Sequence, residues 1–152
     1  VRPFALYAAK FCVVAKMALL TQIWLLVLFL IGGKLGAGLT GFPPPEILLW
    51  LLRGAVGGLP IIAIQLLLSM VIRNFALPVL MALGGSILGL MATTSNAGLF
   101  WPYSLMLMGM NSNRTEDVMT GQLPGFFLSC IIFLAIFLLT ADAVLAKQDV
   151  KA

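Results

Sequence analysis

The segment Gly54–Ile72, GAVGGLPIIAIQLLLSMVI, contains no charged residue and lies between Arg53 and Arg73. A charged side chain at the centre of a membrane-spanning helix costs roughly 2.5 to 3.5 kcal/mol, so charges mark the ends of such helices. The length of this run is close to the approximately 20 residues that a helix needs to cross the hydrocarbon core. With the apolar Leu52 added, it predicts a membrane span over Leu52–Ile72.

The composition of the whole chain supports this interpretation. Of its 152 residues, 62% are hydrophobic and only 9% are charged, and the mean hydropathy is +1.13. Soluble domains carry about 25% charged residues, so we predict a single all-α transmembrane domain over residues 1–152. The net charge of +4 is spread thinly along the chain, which argues against nucleic-acid binding. With no histidine and only two cysteines, the sequence gives little basis for a metal site, a cofactor or an enzyme active site.

Three further spans follow from the positions of the other charges. They are Phe11–Gly32, Phe75–Ala92 and Val118–Ala141. The uncharged run between residues 74 and 113 is too long for one span, because at about 1.5 Å per residue it would reach about twice the thickness of the roughly 30 Å hydrocarbon core. A polar, turn-prone cluster at residues 93–98 divides this run. The part that follows, Leu99–Met110, is too short to cross a membrane.

Leu99–Met110 begins with a cluster of aromatic residues. Tryptophan and tyrosine are enriched at the level of the lipid headgroups. The cluster therefore predicts a short external helix, either interfacial or re-entrant. Three aromatic residues are assigned to this helix: Phe100, Trp101 and Tyr103.

The distribution of lysine and arginine predicts the orientation. With four spans, both termini share one side with the loop between the second and third spans. That side carries Arg2, Lys10, Lys16, Arg73, Lys147 and Lys151, whereas the other carries Lys34, Arg53 and Arg114. Because positive residues are enriched in cytoplasmic segments, we expect both termini to be cytoplasmic and Thr93–Leu123 to be external. The side chain of Arg53 is expected to extend to the outer headgroups.

Few polar side chains lie at membrane depth, and none of them is a carboxylate. A proton-coupled carrier needs an ionisable group there, so the sequence argues against that class. Gln65, Ser69 and Ser86 are candidates for lining a translocation path or for contacts between helices. For Gln65 the alternative is a single interhelical hydrogen bond, worth about 0.6 to 2 kcal/mol, and we favour this second interpretation.

Two apolar segments, Gly54–Gly58 and Gly85–Gly89, place glycines about one helical turn apart. Small residues at this spacing let two helix backbones approach closely. The sequence therefore indicates that the second and third spans each have one face suited to close packing.

Several segments carry a family resemblance. Arg2–Phe4 and Lys10–Phe11 precede the first span, Gln65–Asn74 ends the second, Phe100–Tyr103 precedes the last, and a charged tail follows it. In this arrangement the chain resembles the membrane subunits of type-2 ABC transporters. The most similar subgroup comprises the bacterial multidrug and peptide-antibiotic immunity exporter permeases.

The resemblance implies a homo- or heterodimer of permeases in the bacterial plasma membrane, bound to two cytosolic ATP-binding subunits that drive export of an amphipathic substrate. Members of this family have six spans, so the chain resembles the last four, without the first two and most of the coupling region. Arg2, Lys10 and Arg73 would lie on the cytosolic coupling side. The chain has no nucleotide-binding motif, so ATP hydrolysis is expected on the separate subunit. The alternative is a non-transport membrane anchor or assembly subunit, which would share the spans.

Overall fold

The computed structural model describes residues 3–38, 40, 45–95, 97–112, 114 and 116–149, and within these ranges it contains helices and turns but no strand. Its helices are α1 (Pro3–Leu35), α2 (Glu46–Val71), α3 (Ala76–Thr94), α4 (Pro102–Gly109) and α5 (Leu123–Asp149). Four of them are long and apolar enough to cross a membrane, and α4 is the short exception. The predicted all-α bundle of four spans and one short additional helix is therefore confirmed.

Helices α1 and α2 begin well before the runs that predicted them. Helix α2 begins at Glu46 rather than at Leu52, and α1 covers Pro3–Leu35 rather than Phe11–Gly32. Backbone hydrogen bonding does not stop where the hydrocarbon ends, and a charge is tolerated in a helix where it can reach the interface. A glutamate in the first turn also interacts favourably with the positive end of the helix dipole.

Helix α5, by contrast, begins later than predicted, at Leu123 rather than Val118. The backbone nitrogen of Met119 donates a 2.9 Å hydrogen bond to Oδ1 of Asp117, which forms a local turn. Gly121 then has a φ of +80°, a conformation that is incompatible with a right-handed helix. The apolar pattern could not distinguish this turn from the helix that follows it.

The four long helices alternate in direction. Near the two chain termini, the Tyr7 hydroxyl of α1 donates a 2.8 Å hydrogen bond to the Ala63 carbonyl of α2. The same region contains a cluster of buried residues from α1, α2 and α5: Tyr7, Leu67, Ala141 and Leu145. We call this side of the bundle the terminal end. The opposite side, where α2 and α5 begin and α3 ends, is the loop end.

The second buried cluster lies at the loop end and is organised around α4. It combines α4 with the segment that precedes α5 and with α5 itself: Leu105, Met108, Met119, Phe126 and Cys130. Helix α4 packs mainly against α2 and α3 and is inserted between them. Among the described helical elements, α3 contacts α2, α4 and the 3-10 turn Gly98–Phe100, and of these α4 makes the most extensive contact. Helix α4 is therefore the main attachment of α3 to the bundle.

Candidate functional site

The chain folds back along α3 after that helix ends. A 3-10 turn at Gly98–Phe100 leads to Trp101, whose Nε1 donates a 2.9 Å hydrogen bond to the Gly85 carbonyl. Gly85 is the middle residue of α3 and lies about 14 Å from Thr94 at a rise of about 1.5 Å per residue. Helix α4 then runs back towards the loop end, beside α2 and α3. Of the two predicted arrangements, the packing is therefore the re-entrant one.

Glycines on both neighbouring helices make room for α4. A Cβ atom at Gly57 of α2 would lie 2.5 Å from the Leu105 carbonyl oxygen, and one at Gly89 of α3 would lie 3.0 Å from the Tyr103 carbonyl carbon. On α4 itself, a Cβ at Gly109 would lie 2.6 Å from the Arg53 carbonyl oxygen. The glycine-containing segments of α2 and α3 thus both contact the short helix.

Polar groups at the start of α4 find partners within the fold. Pro102 occupies the first turn of α4, where backbone N–H groups have no acceptor within the helix, so the missing N–H of proline costs no helical hydrogen bond. The fully buried Ser104 hydroxyl is shared between the carbonyls of Gly98 and Trp101. Both carbonyls also accept backbone N–H groups, that of Gly98 from Trp101 and that of Trp101 from Ser104. The Ser104 side chain thus adds to the hydrogen bonding at the point where the chain reverses direction, and its own hydroxyl is not left buried without a partner.

A buried ion pair joins α2 to the segment that precedes α5. Nη1 of Arg53 lies 2.8 Å from Oδ2 and 3.1 Å from Oδ1 of Asp117, and the Arg53 side chain is only 8% exposed. Burial by itself would raise the pKa of Asp117, but the hydrogen bonds from Arg53 and from the Met119 backbone hold that pKa below its ordinary value. The expectation that Arg53 extends to the headgroups was wrong, because its guanidinium is buried against Asp117. The sequence did not indicate this pairing, since the two residues lie 64 positions apart.

Below α4, towards the terminal end, α2 and α3 separate and leave a cleft of about 640 Å³. Apolar side chains form most of its walls, including Ile62 of α2 and Val79 of α3. The polar lining residues are Gln65, Ser69 and Arg73. Volumes of about 300 to 1,000 Å³ with mostly apolar walls and a few polar groups are typical of small-molecule sites.

The structure places two of the three predicted polar residues in this cleft. Nε2 of Gln65 donates a hydrogen bond to the Tyr103 hydroxyl, so this amide both contacts α4 and lines the cleft. The Ser69 hydroxyl lines the cleft and donates to the Leu66 carbonyl at 2.8 Å. Ser86 is exposed elsewhere on α3 and donates to the Ala82 carbonyl of its own helix at 2.7 Å.

The aromatic residues of the re-entrant segment have different surroundings. Phe100 is 78% exposed and belongs to the 3-10 turn, whereas Tyr103 is 7% exposed and lies within α4. Trp101, directly before α4, is partly buried. Only Phe100 therefore presents most of its ring outside the bundle.

The predicted coupling residues Lys10 and Arg73 lie at the terminal end and are exposed. Arg2 falls outside the described residues. Arg73 follows α2 directly and lines the opening of the cleft. No partner for its guanidinium is found in residues 3–149 as far as the structure describes them, so this charge is available at the opening.

Comparison of the chain with protein-family models, with curated proteins and with solved structures gave no match.

Proposed function

We propose that this chain is a membrane-spanning permease subunit of an ATP-driven exporter of the ABC type, and that the cleft between α2 and α3 accepts an amphipathic or hydrophobic substrate. The observation that carries the proposal is the form of the cleft. It has apolar walls, an amide at Gln65 and a positive charge at Arg73 that has no partner among the described residues, and α4 fills the same gap on the loop side.

The chemistry of the cleft suits a molecule with an apolar body and a polar or anionic head. The apolar part would pack against residues such as Ile62 and Val79, while the head would stay near Arg73 at the opening. The excess of lysine and arginine at the terminal end supports a cytoplasmic position for this opening. Substrate would then enter from the inner leaflet, which is the direction that an exporter requires.

Opening and closing of the cleft would require a movement of α3 relative to α2. Helix α3 has little direct contact with α2 and is attached mainly through α4. Among the described residues that line the cleft there is no carboxylate that could couple such a movement to protons. In the proposed arrangement, an ATP-binding subunit docked at the terminal end, near Lys10 and Arg73, would supply the energy for this movement.

The test is to obstruct the cleft in the complete transporter. Val79→Trp would fill the space between α2 and α3, whereas Leu80→Trp places the same side chain on the neighbouring residue, which is exposed and does not line the cleft. We expect export per assembled complex to fall at least about tenfold for Val79→Trp, equivalent to about 1.4 kcal/mol of lost substrate binding. Export by Leu80→Trp should be unchanged.

A non-transport anchor or assembly subunit is the second candidate. Helix α1 favours it, because none of the most apolar 18-residue stretch of this helix is buried, so a long surface is open to lipid or to another subunit. Equal export by the two tryptophan variants would favour this class. Failure of the protein to co-purify with an ATPase would exclude the ABC assignment, but would leave the cleft as a candidate binding site.

A further inference from the structure

The cleft between α2 and α3 extends along much of one half of α2. On this helix and directly after it, the lining residues run from Ile61 to Arg73. The helical part of this wall, from Ile61 to Val71, is roughly 15 Å long at about 1.5 Å per residue. This length is about half of the roughly 30 Å hydrocarbon core. Along a helix that crosses the membrane, the cleft therefore has about the depth of one leaflet.

The cleft is open at its side as well as at the terminal end. Of its lining residues, Phe75 is 86% exposed and Val79 is 43% exposed, and Ser69 and Arg73 are exposed as well. An opening along the bundle surface faces the acyl chains of the surrounding lipid. A lipid molecule can thus place one chain between α2 and α3 while its second chain stays in the bilayer.

The charge at the opening of the cleft is not compensated within the described part of the chain. Arg73 is the one charged residue among the described residues that line the cleft, and its guanidinium has no ion pair or hydrogen bond with any of the described residues. A guanidinium presents its N–H donors in a planar fork that matches the oxygens of a phosphate group. The opening is therefore suited to a phosphate head group above an apolar chain.

We propose that the substrate accepted by the cleft is a phospholipid with a net negative head group, whose phosphate contacts Arg73 and one of whose acyl chains lies between α2 and α3. This rests on the proposed function, because it takes the cleft as the substrate site and names the class of that substrate. Phosphatidylglycerol has such a head group. In a zwitterionic lipid an ammonium group partly offsets the phosphate, and no carboxylate among the described lining residues is available to pair with it.

The head group decides which lipid occupies the cleft. Lipid tails are as apolar as the side chains of a membrane helix, so a chain that moves from the bilayer into the cleft gains little from its apolar character. The attraction of a basic side chain for an anionic lipid acts on the head group alone. Selectivity should therefore follow the charge of the lipid. A soluble phosphate compound lacks the chain that would hold it in the cleft.

The experiment uses the purified chain in phosphatidylcholine nanodiscs that contain a trace of phosphatidylglycerol with a diazirine on one acyl chain. After irradiation, mass spectrometry should locate the label on both walls of the cleft, near Ile62 and Val79. Unlabelled phosphatidylglycerol should compete at a mole fraction about fivefold lower than phosphatidylethanolamine, the effect of one basic side chain on an anionic lipid. Glycerol phosphate in the buffer should not compete.

Arg73→Gln should abolish the preference, so that the two lipids compete equally. Lys147→Gln is the matched control, because it removes an exposed positive charge from the last turn of α5, at the same end of the bundle but outside the cleft. It should retain the fivefold preference. If Arg73→Gln fails to fold, Val79→Trp should abolish labelling of the cleft, whereas Leu80→Trp, on the exposed neighbouring residue, should not.

Three results would overturn the proposal: equal competition by the two lipids in the wild type, a preference that persists in Arg73→Gln, or a preference lost equally in Arg73→Gln and Lys147→Gln. Competition by glycerol phosphate as strong as that by phosphatidylglycerol would also overturn it, since the site would then bind a soluble anion. No ATPase is present in this experiment. A negative result would therefore remove the anionic lipid as substrate and leave export of other amphiphiles to be tested by the tryptophan variants in the complete transporter.

Discussion

The two halves of α2 illustrate opposite ways of packing a helix in a membrane. In the half nearer the loop end, Gly54 and Gly57 bring the backbone against α4, and Arg53 is held in a buried ion pair. In the half nearer the terminal end, Gln65 and Ser69 border an open cleft. Close packing and separation therefore occur along a single continuous helix.

The position of helix α4 explains why one half of α2 is closely packed and the other half borders a cleft. It is inserted between α2 and α3 where glycines allow backbone contact, and it thereby holds these two helices apart. Beyond the start of α4 no helix of the described chain is inserted between α2 and α3, so the cleft begins there, next to Tyr103. The well-packed half sets the geometry of the open half. Changes in the packed half should accordingly affect stability, whereas changes in the open half should affect substrate handling.

The largest effect should come from breaking the ion pair on one side only. Asp117→Ala leaves the Arg53 guanidinium buried without its carboxylate, and removal of one partner from a buried pair typically costs about 3 to 5 kcal/mol. Because Asp117 is itself 28% exposed, we expect a loss of about 3 kcal/mol in the free energy of unfolding, at the lower end of this range, measured by denaturant titration in detergent.

The control for this prediction is the double variant Arg53→Leu with Asp117→Leu, which removes both charges. Replacement of a buried pair by apolar residues is often neutral or stabilising, so the double variant should be more stable than Asp117→Ala. If the two variants were equally unstable, the ion pair would not be the feature that holds the packed half together.

A somewhat smaller effect is expected where α4 touches α2. Gly57→Ala places a methyl group 2.5 Å from a backbone oxygen that cannot move independently, and overpacking of this kind costs about 1 to 3 kcal/mol. Gly58→Ala is the matched control, since its nearest atom is the Met106 sulfur at 3.8 Å. It should be neutral or stabilising by up to about 1 kcal/mol, because alanine favours helix over glycine. Similar thermal unfolding temperatures for the two variants would contradict the backbone contact.

Low pH should reduce the free energy of unfolding through Asp117, by an amount between the effects expected for Gly57→Ala and for the Gln65–Tyr103 hydrogen bond. The pKa of Asp117 in the folded protein lies below its ordinary value of 3.8, so the unfolded chain takes up this proton first as the pH falls. The stabilisation is fully present above about pH 4 and is lost as the pH decreases through the folded-state pKa. Unfolding measurements between pH 7 and pH 2 should show this loss in the wild type, and less of it in Asp117→Asn, which has no carboxylate to titrate.

The smallest effect on stability is expected at the boundary between the two halves. A double-mutant cycle of Gln65→Leu and Tyr103→Phe should give a coupling energy of about 0.6 kcal/mol, as is usual for hydrogen bonds between membrane helices. Both variants lose the hydrogen bond, but only Gln65→Leu removes a polar group from the cleft lining. Under the proposed function, transport per assembled complex should therefore decrease for Gln65→Leu alone, in contrast to the interpretation favoured from the sequence, in which Gln65 only forms a hydrogen bond between helices. An equal decrease in both would assign the role of Gln65 to holding α4.

Some of this architecture could be predicted directly from the order of residues. The spacing of Arg53, Arg73 and the other charges gave the number of spans, because the free energy of placing a charge in hydrocarbon is a local property of each segment. The shortness of Leu99–Met110 likewise predicted a helix that does not cross. The glycines at Gly54–Gly58 and Gly85–Gly89 predicted close packing, but not that the partner of both would be the short helix.

The sequence by itself determined that the chain forms four apolar helices and one short segment, since hydrophobicity and length act residue by residue. Only the tertiary structure decided that α4 is re-entrant, that Arg53 pairs with Asp117, and that Gln65 both bonds Tyr103 and lines a cleft. These contacts join residues 38 to 64 positions apart. Their free energy depends on how whole helices pack against one another, which no local pattern records.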